Sequence, residues 1–437
     1  MQNNLQPSAE VCVNRSAIKT IYTHFEKSFF KSEKYKLTSE IGKTSLGVRG
    51  TKTLVDAKTI TAIDPEFPNA IIKLGAERFH RCFNCGNCTA ICPLTQDKAS
   101  YPRKLIRYAV MGLEERVTSS ADPWLCYYCG ECSDYCPRDA DPGSFMMALR
   151  RLLIQKYSIV SKAFFNKIAA AITWIVLTII AALGIYFFRG HSPNLETVDL
   201  SSFLSIDFIH DAGLAVGAVV GLFALLNLIS MYRSIAKGIS YSYSKVESRN
   251  PALWIKNFFK TIIYEVAAQL KYSKCLKKSR YVAHLALFWG FLGLFVATLI
   301  VFGIDFYGLQ ISRVVPFVIG VISGVVMLYG SIYFIIARLK KKETYAMYSY
   351  HTDWVFLILL FLAGVTGFLL AIFVKVNLPM ESYITYAVHL IVVFDLLISA
   401  PFTKFAHAIY RPLALWIDST VRESPIIGGI MGGGRGG

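Results

Sequence analysis

Residues 81–94 read RCFNCGNCTAICPL, and residues 125–138 read LCYYCGECSDYCPR. The first stretch places cysteines at Cys82, Cys85, Cys88 and Cys92, with Pro93 after the last. The second places them at Cys126, Cys129, Cys132 and Cys136, with Pro137 after the last. Each cysteine of the second run follows its counterpart by 44 positions, so the motif is duplicated as a unit. The chain has 437 residues and 10 cysteines, and only Cys12 and Cys275 lie outside the two runs.

The spacing C-x2-C-x2-C-x3-C-P is that of two-cluster iron–sulfur domains. Three closely spaced thiolates close on one cubane, and the fourth, held before proline, reaches the other cluster. On that rule Cys82, Cys85, Cys88 and Cys136 hold one [4Fe–4S] cluster, and Cys126, Cys129, Cys132 and Cys92 hold a second. Zinc is the competing reading. Zinc sites use paired C-x2-C units, however, and do not call for doubled four-cysteine runs that both end in proline. The first twenty residues carry no apolar core of a secretory signal, so the cysteine region is expected in the cytoplasm, where dense cysteines bind metal rather than pair as disulfides. Cys12 and Cys275 have no partner spacing and read as ordinary free thiols.

Around the combs the pattern is helical. SYPRKLIRYAVMGLEERV, between them, predicts a helix with Pro102 in its first turn and an apolar stripe of Ile106, Ala109, Val110 and Leu113. PGSFMMALRRLLIQKY, after the second comb, predicts an amphipathic helix. The expected fold class is all-α, with a helical two-cluster ferredoxin domain followed by a six-helix transmembrane bundle. The expected divisions are an N-terminal arm over 1–75, the ferredoxin domain over 76–160, a membrane domain over 161–417 and a flexible glycine-rich tail over 418–437.

The membrane assignment comes from composition. Hydrophobic residues make up 54% of the chain, and the mean hydropathy is +0.44, too apolar for an ordinary soluble protein. Apolar spans long enough to cross about 30 Å of hydrocarbon lie near 168–188, 208–231, 281–303, 314–337, 354–375 and 383–403. The net charge of +17 does not point to nucleic acid, because it gathers beside the spans. Residues 233–280 carry eleven Lys or Arg against two acids, and RLKKK follows at 338–342. An excess of basic residues marks the cytoplasmic side, so a multi-pass protein of the cytoplasmic membrane is expected, with the N-terminal domain and C-terminus inside and lipid around the bundle. Within the basic segment, WIKNFFKTIIYEVAAQL reads as an amphipathic surface helix or a docking surface for a partner protein.

Ionisable groups inside lipid are costly and mark function by default. His389 lies within the sixth span, and His407 follows 18 residues later. On one continuous helix that is five turns, placing both imidazoles on one face about 27 Å apart, an arrangement suited to two stacked b haems. Matching by depth pairs His284 with His407 on the inner side and His210 with His389 on the outer side. His351, beside Trp354, is the rival inner ligand or else an interfacial anchor. Asp353 and Asp395 read either as proton or quinone contacts or as packing acids. Neither a dinucleotide fingerprint nor a phosphate loop, Ser-His-Asp triad or H-E-x-x-H motif is present, which leaves one-electron transfer with a quinone as the chemistry on offer.

These residues resemble a known family. The comb region resembles the small iron–sulfur subunit of heterodisulfide reductases. The segment HLIVVFDLLISAPFTKFAHAIYRP, with His389 and His407, resembles the b-haem membrane subunit of those enzymes and the gamma subunit of respiratory nitrate reductase. Their fusion looks like the membrane subunit of the quinone-interacting membrane-bound oxidoreductase complex, over about residues 76–417. The resemblance implies a conduit between menaquinone, b haem and two [4Fe–4S] clusters. It also implies partners: cytoplasmic flavin and iron–sulfur subunits, and adenylylsulfate reductase in dissimilatory sulfur metabolism. In one respect the chain departs from the nitrate-reductase type, which carries two histidines ten residues apart on one span. Ten residues after His284 stands Leu294, so one partner comes from elsewhere, such as His210, or one haem is absent.

Overall fold

The computed structural model describes residues 62–95, 101–190, 193–242, 250–275 and 277–424. Cys12, His191, most of the N-terminal arm and the glycine-rich end of the tail fall outside them. Regular structure among the described residues is helical, apart from one bridge between Arg189 and Leu204. The principal helices are α1 (Phe67–Lys73), α2 (Arg103–Val110), α3 (Pro142–Tyr157), α4 (Lys167–Phe188), α5 (Ile206–Ser242), α6 (Pro251–Lys260), α7 (Lys278–Tyr307), α8 (Val314–Lys340), α9 (His351–Val376), α10 (Pro379–Ile398) and α11 (Ala406–Glu423).

The sequence pattern explains where several of these begin. Asp141 caps α3 by accepting from Ser144 N at 3.2 Å, and Pro142 occupies its first turn, where a missing N–H costs nothing. Asn166 caps α4 by accepting from the amides of Ile168 and Ala169. Pro379 opens α10 in the same way as Pro142 opens α3. The sequence expectation of one helix over 100–117 is corrected. The helix stops at Val110, Gly112 takes φ +69°, and a separate short helix runs Glu114–Thr118. The buried residues of α2 are Leu105, Ile106 and Ala109, while Val110 is exposed.

Helix α3 is the pillar of the molecule. One side packs with Phe67, Ile71, Phe79, Leu105 and Ile106, and the other with Trp124, Phe165, Met231, Ile235 and Tyr410. It is therefore buried nearly all round rather than along one stripe, and it joins the cysteine-bearing helices to the apolar bundle. Phe67 and Ile71 of α1 belong to the first of these cores. At the far end α11 continues to Glu423, six residues beyond 417, holding Ile417 and Thr420 buried.

Helices α4, α5, α7, α8, α9 and α10 are each long and apolar enough to cross a membrane. The outward residues of α4, among them Ile168, Ile172, Ile175 and Ile179, are exposed and apolar, as a hydrocarbon-facing surface requires. Helices α7 and α8 meet through glycine. A Cβ on Gly290 would sit 2.6 Å from Met327 N, and one on Gly330 would sit 2.7 Å from Ala283 O, so only glycine allows this approach.

A buried ion cluster locks the halves together. Asp353, 4% exposed, meets Arg151 of α3 at 2.8 Å and Lys404 at 3.0 Å, and Arg151 also donates to Leu74 O at 2.8 Å. Asp353 also accepts from Tyr350 N at the start of α9. These contacts give it a structural role. Asp353→Ala leaves the buried Arg151 guanidinium and the half-buried Lys404 ammonium without their counter-charge, and is expected to cost about 3–5 kcal/mol, seen as a lowered midpoint of thermal unfolding in detergent. Asp395 accepts from Thr178 of α4 at 2.8 Å, which is a helix-packing contact.

Candidate functional site

The two combs fold alike. Asn84 and Tyr128, between the first and second cysteines, take φ +64° and +54°, and Gly86 and Gly130, after the second, take φ +90° and +95°. This run of left-handed residues curls each loop so that backbone amides turn inward. Asn84 N donates to Cys82 Sγ at 3.4 Å, Tyr128 N to Cys126 Sγ at 3.2 Å, and Ala140 N to Cys136 Sγ at 3.3 Å. Amides aimed at sulfur stabilise thiolate ligands. After each glycine a short helix begins, carrying Cys88 or Cys132 in its first turn.

The thiols gather in two groups. Burial, and then the charges of Cys82, Cys85 and Cys136, push the Cys88 thiol up to about 11. Burial, with Cys126 and Cys129 adding, pushes Cys92 up to about 12. Cys132 is raised well above the usual thiol range, first by burial and then by Cys126, Cys129, Cys92 and Cys88. Thiols held neutral first by burial and then by one another suit a site where a metal supplies the balancing positive charge. A cavity lies at the second group, lined by Cys92, Cys126, Cys129, Cys132, Tyr101 and Met146 among others. The two groups differ in exposure. Cys132 is buried, whereas Cys85 is exposed and flanked by Phe83, 59% exposed, with Tyr135 of the second comb 55% exposed.

Three histidines share one hydrogen-bonding habit. His407 Nδ1 lies 2.6 Å from Lys404 O, a carbonyl that only accepts, so Nδ1 carries the proton. His284 Nδ1 lies 2.8 Å from Gln269 Oε1. His389 Nδ1 lies 2.8 Å from Thr366 Oγ1, whose own proton goes to Leu362 O at 2.7 Å. In each ring Nδ1 is the donor and Nε2 holds the lone pair, the tautomer a metal-binding imidazole takes. Burial holds the His407 imidazole down at about 3, so it stays neutral.

The structure brings His284 and His407 together, with ring centroids 6.3 Å apart and planes at 61°. With imidazole–metal bonds of about 2 Å, two rings sharing one metal have centroids roughly 6 Å apart. The residues therefore fit a bis-histidine haem. The expected five-turn register between His389 and His407 is corrected. Helix α10 ends at Ile398, residues 399–405 form turns, and His407 opens α11. Pro401 has no amide proton to continue the helix and restricts the residue before it. His210 lies edge-on to Phe302, with its Nε2 3.5 Å from Asp305, at the opposite end of α7 from His284. His351 donates from Nε2 to Phe164 O at 2.9 Å and packs on Tyr350, as an anchoring residue does.

Several residues that sequence patterns did not assign to a cofactor site join the sites. Tyr127, from within the second comb, stacks on Tyr272 with centroids 4.9 Å apart, and Tyr272 meets His284 edge-on at 5.5 Å. Arg411 lies 3.4 Å over the Tyr127 ring and donates to Trp124 O. Arg280 donates to Tyr128 O, and Arg150 to Cys126 O. Three guanidinium groups thus surround the second cysteine group, where a thiolate-ligated cluster would bring negative charge.

Comparison with known proteins agrees with this division. A 4Fe-4S dicluster domain model matches residues 78–140. A protein of Archaeoglobus profundus, described as like the C subunit of heterodisulfide reductase, is 38% identical over 104 residues, which is 24% of this chain and 55% of that protein. The C subunit of the H(2):CoB-CoM heterodisulfide,ferredoxin reductase of Methanothermobacter marburgensis is 37% identical over 63 residues, 14% of this chain and 34% of that protein. The chain therefore spans about half the length of the first relative and about a third of the second. The class is that of an iron–sulfur redox protein fused to a bundle of candidate membrane helices. The model of the family described as citrate utilization protein B matches residues 202–424, just over half of the chain, and the chain belongs to that family.

Proposed function

We propose that this protein is the membrane electron-transfer subunit of a quinone-linked oxidoreductase complex. The observation that carries the reading is the His284–His407 pair, tautomer-fixed and joined through Tyr272 and Tyr127 to the cysteines of the second comb. His284 and His407 would hold one b haem. Cys126, Cys129, Cys132 and Cys92 would hold the nearer [4Fe–4S] cluster, and Cys82, Cys85, Cys88 and Cys136 the outer one. When bound, these groups supply one-electron carriers between menaquinone in the bundle and a soluble partner.

The chain's own residues do the rest. Gln269 and the Lys404 carbonyl orient the two imidazoles, the paired tyrosines fill the space between imidazole and thiolates, and Arg150, Arg280 and Arg411 balance charge. The exposed first comb, with Phe83 and Tyr135, is the outlet toward cytoplasmic flavin and iron–sulfur subunits. Adenylylsulfate reductase is the proposed acceptor beyond them, as in the quinone-interacting complex the sequence resembles. A second b haem is assigned to His389, with His210 as its candidate partner.

The test is haem per chain by pyridine haemochrome, together with anaerobic reduction of the b-type spectrum by a menaquinol analogue. Two haems falling to one in His389→Ala is the expected result. A single haem in the wild type removes His210 from the scheme. No haem in the wild type overturns the quinol reading and leaves a cluster-based redox sensor. Family membership favours a second reading of the partner: the same conduit serving a different soluble oxidoreductase, one connected with citrate utilization. The proteins that co-purify with the chain separate the two.

A further inference from the structure

Residues 269–275 run between a wide helical turn, Thr261–Ala267, and α7, and they touch both halves of the site. Gln269 accepts from His284, and Tyr272 lies between His284 and Tyr127. Cys275, 2% exposed, ends this strap against the second comb. Its sulfur, the Cys129 sulfur and a Glu131 carboxylate oxygen lie within 4.8 Å of one another. Cys129 packs against the small buried core that Cys275 forms with Tyr127 and Tyr272.

A sulfur so placed can act as a ligand or as a donor. The second group already supplies four thiolates, Cys92, Cys126, Cys129 and Cys132, one for each iron of a cubane. A fifth thiolate has no iron left to take, and burying its charge beside four others is unfavourable. A Cys275 thiol that stays outside the ligand set has the Cys129 sulfur within 4.8 Å as an acceptor for its proton. A hydrogen bond to a ligand sulfur withdraws negative charge and favours the reduced, more negative cluster.

We propose that Cys275 is a positioning residue that donates a hydrogen bond to the Cys129 sulfur and raises the reduction potential of the cluster nearer the membrane helices. This rests on the assignment of that cluster to Cys92, Cys126, Cys129 and Cys132. The strap then ties the tuning of one carrier to the orientation of the next, because the same seven residues hold His284.

The experiment is a redox titration followed by EPR on the full-length chain in detergent, with iron counted in parallel, for the wild type, Cys275→Ala and Cys275→Ser. The expected result is unchanged iron in all three. In Cys275→Ala the reduced-to-oxidised ratio of one cluster falls about tenfold at fixed poise, about 59 mV for a one-electron couple. The serine variant, which keeps a donor, recovers most of that loss, and the outer cluster is unaffected. An unchanged potential in Cys275→Ala overturns the proposal. So does loss of about four irons in Cys275→Ala, which would make Cys275 a ligand. Should the alanine variant fail to fold, Cys275→Val supplies the same comparison at closer volume. A wild-type chain lacking the second cluster shows instead in the iron count, and overturns the cluster assignment beneath the proposal.

Discussion

Replacing either His284 or His407 by alanine is expected to remove one b haem per chain, the same haem in both variants. Pyridine haemochrome falls by one in each, the double variant loses no more than either single one, and iron–sulfur content is unchanged. The argument is geometric. The rings lie 6.3 Å apart between centroids. Each Nδ1 is tied to an acceptor on its own side of the site, Gln269 or the Lys404 carbonyl. That leaves both Nε2 lone pairs for one metal. The two residues come from different helices, α7 and α11, and neither imidazole has another assigned role. A double variant that loses two haems would mean that each histidine serves a separate metal. Variants that keep the full haem complement would place the ligands elsewhere.

How much of this was legible in the sequence depended on the range of the contacts involved. The combs were legible because their geometry is local: a positive-φ residue and a glycine within seven positions decide where each thiol points. The spans were legible because hydrophobic length is a property of a window; the structure begins and ends them within about five residues of the expected limits, except that α5 runs on from 231 to Ser242. The His284–His407 pair followed from depth alone, since both lie at the basic ends of apolar stretches.

The sequence reading failed where one local rule competed with another. Eighteen residues between His389 and His407 fit a helical repeat, but Pro401 lies between them and ends the helix. Residues 251–275 read as a surface helix or a docking surface, with no signal of a role at the histidines and cysteines. They look basic and amphipathic, yet Gln269, Tyr272 and Cys275 act through contacts with Tyr127, Cys129 and His284 that only the packed chain creates. Cys275 read as an ordinary thiol because no spacing links it to the combs. Likewise α3 read as amphipathic because a sequence window cannot reveal that a helix is wedged between two cores.

The crossed assignment of the fourth cysteines gives the sharpest test of the combs. Cys92→Ser, in the first comb, is expected to remove the cluster of the second comb, and Cys136→Ser, in the second, to remove that of the first. Each variant falls from about eight irons to about four per chain, and EPR distinguishes which cluster is lost. The neighbours of each thiol support the crossing. Cys92 lies in the cavity with Cys126, Cys129 and Cys132, whereas Cys136 is among the groups that act on Cys88 with Cys82 and Cys85. The two losses have different consequences. A cluster held by Cys92, Cys126, Cys129 and Cys132 would adjoin Tyr127 and, through Tyr272, His284, so removing it would isolate the outer cluster from the histidine pair. Quinol should then still reduce the b-type spectrum but not the remaining cluster. In Cys136→Ser the inner cluster stays in contact with the pair and remains reducible by quinol, while transfer to an added soluble acceptor is lost. If Cys92→Ser instead removes the cluster of its own comb, each four-cysteine run closes on itself, and the order of carriers between membrane and outlet no longer follows from the packing of Tyr127 against Tyr272.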